Sequence, residues 1–160
     1  QDLAAMIPSH LLDPKPGDTI VDLCAAPGGK TLQLAAAGAN VTAVDRSAPR
    51  LRLLKENLAR TGLKATVITA NADEWRLLDA AIDMLAPGGT LIYCVCTPLP
   101  AEGVDIVEAA LTTGRLQRVP VTEADVPGFS HAITSSGDVL TLPGGDSDHD
   151  TFYIARLKKA

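Results

Sequence analysis

Asp22-Leu23-Cys24-Ala25-Ala26-Pro27-Gly28-Gly29-Lys30-Thr31 decides how the chain is read. The run Thr19-Ile20-Val21-Asp22-Leu23-Cys24 is short and apolar, as in a buried parallel strand. The glycine turn then leads into a helical pattern over residues 31–37. Glycines let the backbone approach a ligand closely, and the helix behind them presents free N–H groups and a positive dipole end. Such a turn, at the carboxyl end of a first strand, is where open α/β sheets hold nucleotide-like ligands. Neither the dinucleotide fingerprint nor the phosphate-loop pattern is present. Taken alone, Gly28-Gly29 reads more simply as a structural turn.

Outward from this stretch the alternation repeats. Val41–Asp45 reads as a second strand, Ser47 caps a helix that Pro49 opens, and Gly62 ends it. Residues 65–70 form a β-branched third strand. A helix over 77–85, a turn at Pro87-Gly88-Gly89, a strand over 90–94 and a helix over 102–111 follow. Two last strands fall near 116–121 and 152–157, and residues 2–12 have helical spacing. Strands alternating with helices predict an α/β fold with a mostly parallel sheet.

One place departs from that rhythm. After the third strand the chain passes through Asn71-Ala72-Asp73-Glu74-Trp75 straight into a helix at Arg76. A strand and crossover are expected there, and a βαβ unit takes roughly 30 residues. The spacing therefore predicts a missing segment of that order between Trp75 and Arg76; the alternative is a smaller sheet.

The bulk properties set bounds. A chain of 160 residues, 46% hydrophobic and 21% charged, reads as one globular domain. No apolar run suits a membrane span and no leader pattern opens the chain, so a cytoplasmic place is expected. Three cysteines make no disulfide framework. The net charge of −5 argues against nucleic-acid binding by broad electrostatics. Residues 46–64 nevertheless hold Arg46, Arg50, Arg52, Lys55, Arg60 and Lys64 against Glu56 alone, a face for phosphates or merely for solvent.

Asp45 ends the second strand about 20 residues after the glycine turn, where an acid can accept both hydroxyls of a ribose. Asp73 either receives an adenine amino group or caps a helix. Together these strand ends point to a nucleoside with little or no phosphate, and S-adenosyl-L-methionine fits better than a dinucleotide.

DLCAAPGGKT followed by AVDRS and NADEW resembles the Sun/RsmB (NSUN-type) family of S-adenosylmethionine-dependent RNA cytosine-5 methyltransferases, and the likeness runs from QDLAAMIP to TFYIARLKK. It implies a Rossmann-like class I methyltransferase fold, with helices on both faces of a twisted sheet and one central strand absent from this chain. By the resemblance, Cys24, Ala25, Pro27, Gly28, Gly29 and Lys30 surround the methionine part of the cofactor. Asp45 holds the ribose, Arg50 lies near the adenosine, and Asp73 binds the adenine side. Leu91-Ile92-Tyr93-Cys94-Val95-Cys96-Thr97 is similar to the family's strand ending in Thr-Cys-Ser, whose cysteine attacks the base. Cys96 is thereby the expected catalytic nucleophile. Cys94, one pleat earlier, reads as core. A Cys-x-Cys metal pair finds no companion ligands, and no metal is expected.

A thiol is wanted because carbon 5 of cytosine is a poor nucleophile until something adds at carbon 6, and the thiolate is the form that adds. The family's second element, a strand ending in Asp-Ala-Pro-Cys-Ser, is absent, and its place is the same gap. Loss of that element opens a rival reading, a non-catalytic module that binds S-adenosylmethionine or scaffolds RNA. A second departure is Thr151, where glycine often precedes the two aromatics. The resemblance also implies an N-terminal RNA-binding domain ahead of Gln1. The substrate would be single-stranded or looped RNA, ribosomal RNA above all, from which a base can be extruded.

Overall fold

The computed structural model of the chain describes residues 2–70, 74–144 and 149–160. They fall into two compact units, Asp13–Ala81 and a second made of Ile82–Ala160 with the N-terminal helix.

The first unit is a parallel sheet in the order β1-β2-β3, with β1 Thr19–Asp22, β2 Asn40–Asp45 and β3 Thr66–Thr69. Helix α2, Gly29–Ala36, follows β1, and α3, Ala48–Thr61, follows β2. The local signals act as read. Ser47 caps α3 by accepting the N–H of Arg50 at 3.4 Å, and Gly62 closes it in the left-handed conformation at φ 70°. Leu51, Leu54 and Leu58 bury one stripe of α3 against Ala25, Ala26 and Ala43. Full burial of one such leucine is worth about 1.5–3 kcal/mol.

The second unit centres on β7, Phe152–Lys159. β4, Thr90–Val95, pairs antiparallel on one side; β5, Leu116–Arg118, and β6, Val139–Thr141, pair with it on the other. The parallel expectation thus describes the first sheet, while every pair in the second is antiparallel. α1, Ile7–Leu12, and α5, Val104–Thr112, belong here. Ile7 and Leu11 join Val126, Val139, Phe152 and Ile154 in one core. β6 was not anticipated. Helix α4, Glu74–Met84, begins three residues before the expected start, and the chain passes from β3 to it with no described strand between. Among the described residues no helix is long and apolar enough to cross a membrane.

An ion pair holds the loop before β6. Arg156 Nη1 and Nη2 each donate to Asp125 at 3.1 Å, and Nη2 also donates to Pro120 O at 2.9 Å. The guanidinium, helped by Thr122, holds the Asp125 carboxyl well below its usual range. A carboxyl depressed by folding adds stability above its unfolded value of about 3.9, and that stability is lost as pH falls through the folded one. Asp2, held down chiefly by the Asp150 N–H, adds in the same sense. The urea midpoint is therefore expected to fall steeply below about pH 4 and less steeply in Arg156→Ala; equal slopes would refute the assignment.

Candidate functional site

The glycine turn is held from three directions. Asp22, at the end of β1, accepts from Thr31 Oγ1 at 2.7 Å and so ties the strand to the first turn of α2. Burial pushes the Asp22 carboxyl up from its ordinary value, against the opposing pull of the Thr31 hydroxyl. From β2, Val44 O accepts the Ala25 N–H at 3.1 Å. From α3, Asn57 Nδ2 donates to Pro27 O at 3.2 Å, and the Arg50 guanidinium donates to Ala26 O. The Ala26–Pro27 peptide is cis.

Asp45 is the centre of this arrangement. Its side chain is 5% exposed; Oδ2 accepts the Ala26 N–H at 3.1 Å and Oδ1 the Ser47 N–H at 2.8 Å. Arg50 Nη1 lies 3.8 Å from Oδ2. A carboxylate offers about four lone-pair positions, so two backbone donors leave both oxygens able to accept a further hydroxyl. Those acceptor positions fit the two hydroxyl donors of a ribose diol. The β2–β3 register places Asp45 opposite Thr69, and Asp45 O accepts the Ala70 N–H at 3.2 Å. Asp73 lies outside the described residues.

Gly28 has a packing role. Its φ is +113°, and a Cβ there would collide with Leu54 Cδ1. Left-handed backbone costs a side chain about 1–2 kcal/mol and overpacking about 1–3 more. Gly28→Ala is accordingly expected to lose about 2–5 kcal/mol of stability, read from the urea midpoint; a change below 1 kcal/mol would show that the turn repacks freely.

The structure thus joins Cys24, Ala25, Pro27, Gly28, Gly29, Lys30, Asp45 and Arg50 around one turn. Of the first cluster Cys24 is exposed, while Ala25 and Ala26 are buried. Asp22, Thr31 and Asn57 were not assigned from the sequence. Asp22 and Thr31 lie within the quoted motif, nine residues apart across strand, turn and helix. Asn57, on a helix flank 30 residues from Pro27, gives no local signal.

In the other unit, Cys96 follows the last residue of β4 directly and is exposed. Cys94 is half-buried and packs on the core with Phe152 and Ile154, as a side chain of the buried face should. After Cys96, Thr97 Oγ1 accepts the Leu99 N–H at 3.1 Å and turns the chain toward α5. Tyr93 OH donates to Glu102 O at 2.7 Å and ties the strand to the same turn. No cluster of three or more His, Cys, Asp or Glu suited to a metal occurs among the described residues.

The pattern of a family described as 16S rRNA methyltransferase RsmB/F matches residues 9–76 and 71–158. The chain belongs to that family. The RsmB/F match comes in two stretches that meet at 71–76, the place where the strand order breaks. Ribosomal RNA small subunit methyltransferase B of Pseudomonas syringae pv. tomato is 32% identical over 211 residues, covering 99% of this chain and 46% of that protein. The tRNA (cytosine(49)-C(5))-methyltransferase of Pyrococcus abyssi is 28% identical over 218 residues, covering 99% and 69%. The chain therefore spans about half the length of the small-subunit relatives it matches. Among solved structures, NSun6 from Pyrococcus horikoshii, described with SFG, superimposes with a TM-score of 0.78 at 22% identity, over 99% of this chain and 52% of that one. A methyltransferase homolog from the same organism gives 0.74 at 24%, over 100% and 67%. These likenesses show the Rossmann-like methyltransferase fold.

Proposed function

We propose that this RsmB/F chain is the S-adenosyl-L-methionine-binding catalytic domain of an RNA cytosine-5 methyltransferase acting on ribosomal RNA in the cytoplasm, with Cys96 as nucleophile. The observation that carries the reading is the position of Cys96, exposed at the carboxyl end of β4 in a member of this family. The ribosomal substrate is supported by the relative named for the small-subunit RNA, at 32% identity against 28% for the one named for tRNA.

In this reading the Cys24–Lys30 turn borders the methionine part, and Asp45 accepts the ribose hydroxyls with its two remaining acceptor positions. Arg50 braces the turn from the adenosine side through Ala26 O. Asp73 completes the adenine end. The Cys96 thiolate adds to carbon 6 of an extruded cytosine, which leaves carbon 5 an enamine carbon. When bound, S-adenosyl-L-methionine supplies an electrophilic methyl group to that carbon. Loss of the carbon 5 proton then lets the Cys96 sulfur leave with its bonding pair, and the thiolate is restored.

A missing segment between Trp75 and Arg76 is part of the proposal. The Pseudomonas alignment runs over 211 positions against 160 residues, an excess of about 50. Among the described residues β1 pairs with β2 alone and β4 with β7 alone, so each has one open edge. Val21, in the middle of β1, is 40% exposed, unusual for an apolar strand that should be covered. This absence favours the second reading, a module that binds cofactor without turnover.

The deciding experiment is transfer of labelled methyl to RNA by the 160-residue chain and by a form carrying the relatives' segment between Trp75 and Arg76. Label at carbon 5 of cytosine with either form supports the catalytic reading. Cofactor binding with no label from either form leaves only the binding module.

A further inference from the structure

Three aromatic rings converge on one cavity at the sheet end that carries Cys96. The cavity, about 200 Å³, is lined among others by Phe129, His131, Leu140, Thr141, Leu142 and His149. The Phe129 and His131 rings stack with centroids 6.3 Å apart and planes at 26°, and His149 tilts onto Phe129 at 4.9 Å and 45°. The chain has two phenylalanines and three histidines, so half of the first and two-thirds of the second meet here. His149 Nδ1 lies 3.4 Å from Asp2 Oδ1, and the Asp2 carboxylate also accepts the N–H groups of Ala4 and Asp150. One imidazole is thus held in place, while that of His131 stands exposed.

Among the described residues the lining is aromatic, imidazole and aliphatic, with no lysine or arginine. Aromatic and imidazole faces suit a flat ring, and unpaired nucleobases are recognised by stacking on such side chains with polar contacts to their edges. The volume lies below the range of about 300–1,000 Å³ that takes a drug-sized ligand, and suits a single ring system.

Strand register fixes where this cavity lies. On one side of β7, Val95 is opposite Tyr153; on the other, Leu140 is opposite Tyr153 and Thr141 opposite Phe152. Val95, the residue before Cys96, therefore lies across β7 from Leu140. Two strand spacings of about 4.8 Å put the backbones of Val95 and Leu140 about 10 Å apart, within reach of an adjoining nucleotide.

We propose that the cavity is a nucleotide subsite that receives the base next to the target cytosine in an unpaired RNA strand, stacked against Phe129, His131 and His149. The inference rests on the RNA reading above and adds a determinant of sequence or context beside the reacting base.

The test measures dissociation constants of the 160-residue chain for a labelled single-stranded ribo-oligonucleotide containing one cytosine, and for versions abasic at either neighbouring position. One abasic version is expected to bind the wild type about tenfold more weakly or worse, the effect of losing one stacked base. Phe129→Ala and His131→Ala should bind the intact strand as weakly as the wild type binds that abasic one, and no longer separate the two. His131 is exposed, so its variant tests the subsite even if the half-buried Phe129 is needed for folding. If the wild type binds RNA but treats abasic and intact strands alike, or if His131→Ala keeps the contrast, the subsite is refuted and the RNA reading stands. If neither the wild type nor the form carrying the relatives' segment between Trp75 and Arg76 binds RNA, both fall.

Discussion

Replacing Cys96 by alanine is expected to abolish methyl transfer to RNA, by about 10⁴-fold or more, with cofactor affinity unchanged within twofold. The size follows from the chemistry: without addition at carbon 6, carbon 5 has no electron pair to offer. The measurement uses the form of the chain that transfers methyl. A second readout is RNA carrying 5-fluorocytosine, where fluorine in place of the leaving proton traps the sulfur–carbon 6 bond after transfer. The wild type should give a band that survives denaturing electrophoresis, and Cys96→Ala none. Cys94→Ala is the necessary contrast. It truncates a half-buried residue packed on the core that contains Phe152 and Ile154, so it should lower stability modestly and keep the trapped band. A band retained in Cys96→Ala, or lost only in Cys94→Ala, would move the nucleophile.

The difference in exposure between Cys94 and Cys96 was legible before the structure, because strand alternation puts both on one face and only the second at the strand end. The caps of α3 were legible for the same kind of reason: Ser47 and Gly62 act through their own backbone neighbourhoods. What the sequence concealed depends on distant partners. β6 is three residues long and exists because Val139, Leu140 and Thr141 find the free side of β7. The acid at the end of β2 was visible at Asp45; that one of its oxygens also accepts the N–H of Ala26, 19 residues back, was not. Asp138, which drew no reading from the sequence, has its side chain 1% exposed. No local pattern shows which of two acids in loops will be buried.

Arg118→Ala is expected to destabilise the chain by about 3–5 kcal/mol because it strands that Asp138 carboxylate. In the native network Arg118 Nε donates to Asp138 Oδ1 at 3.2 Å, and its Nη2 donates to Glu108 at 2.8 Å. Tyr153 OH donates to Asp138 Oδ2 at 2.7 Å, and burial followed by that carboxylate pushes the phenol well above its ordinary value. Removing the guanidinium leaves the buried carboxylate to the Tyr153 hydroxyl, because Thr134 bonds only the backbone N–H and carbonyl of Asp138. Asp138→Asn is the informative companion. It removes the buried charge while Arg118 keeps Glu108, so its cost should be smaller, about 1–3 kcal/mol. The network bears on the site because Tyr153 is the register partner of Val95, the residue before Cys96. A strand loosened at Tyr153 lets the end of β4 move, so Arg118→Ala should lower transfer in the folded protein as well as its urea midpoint. If Asp138→Asn costs more than Arg118→Ala, the buried charge is not what the guanidinium stabilises, and Arg118 acts through its packing on Glu108 instead.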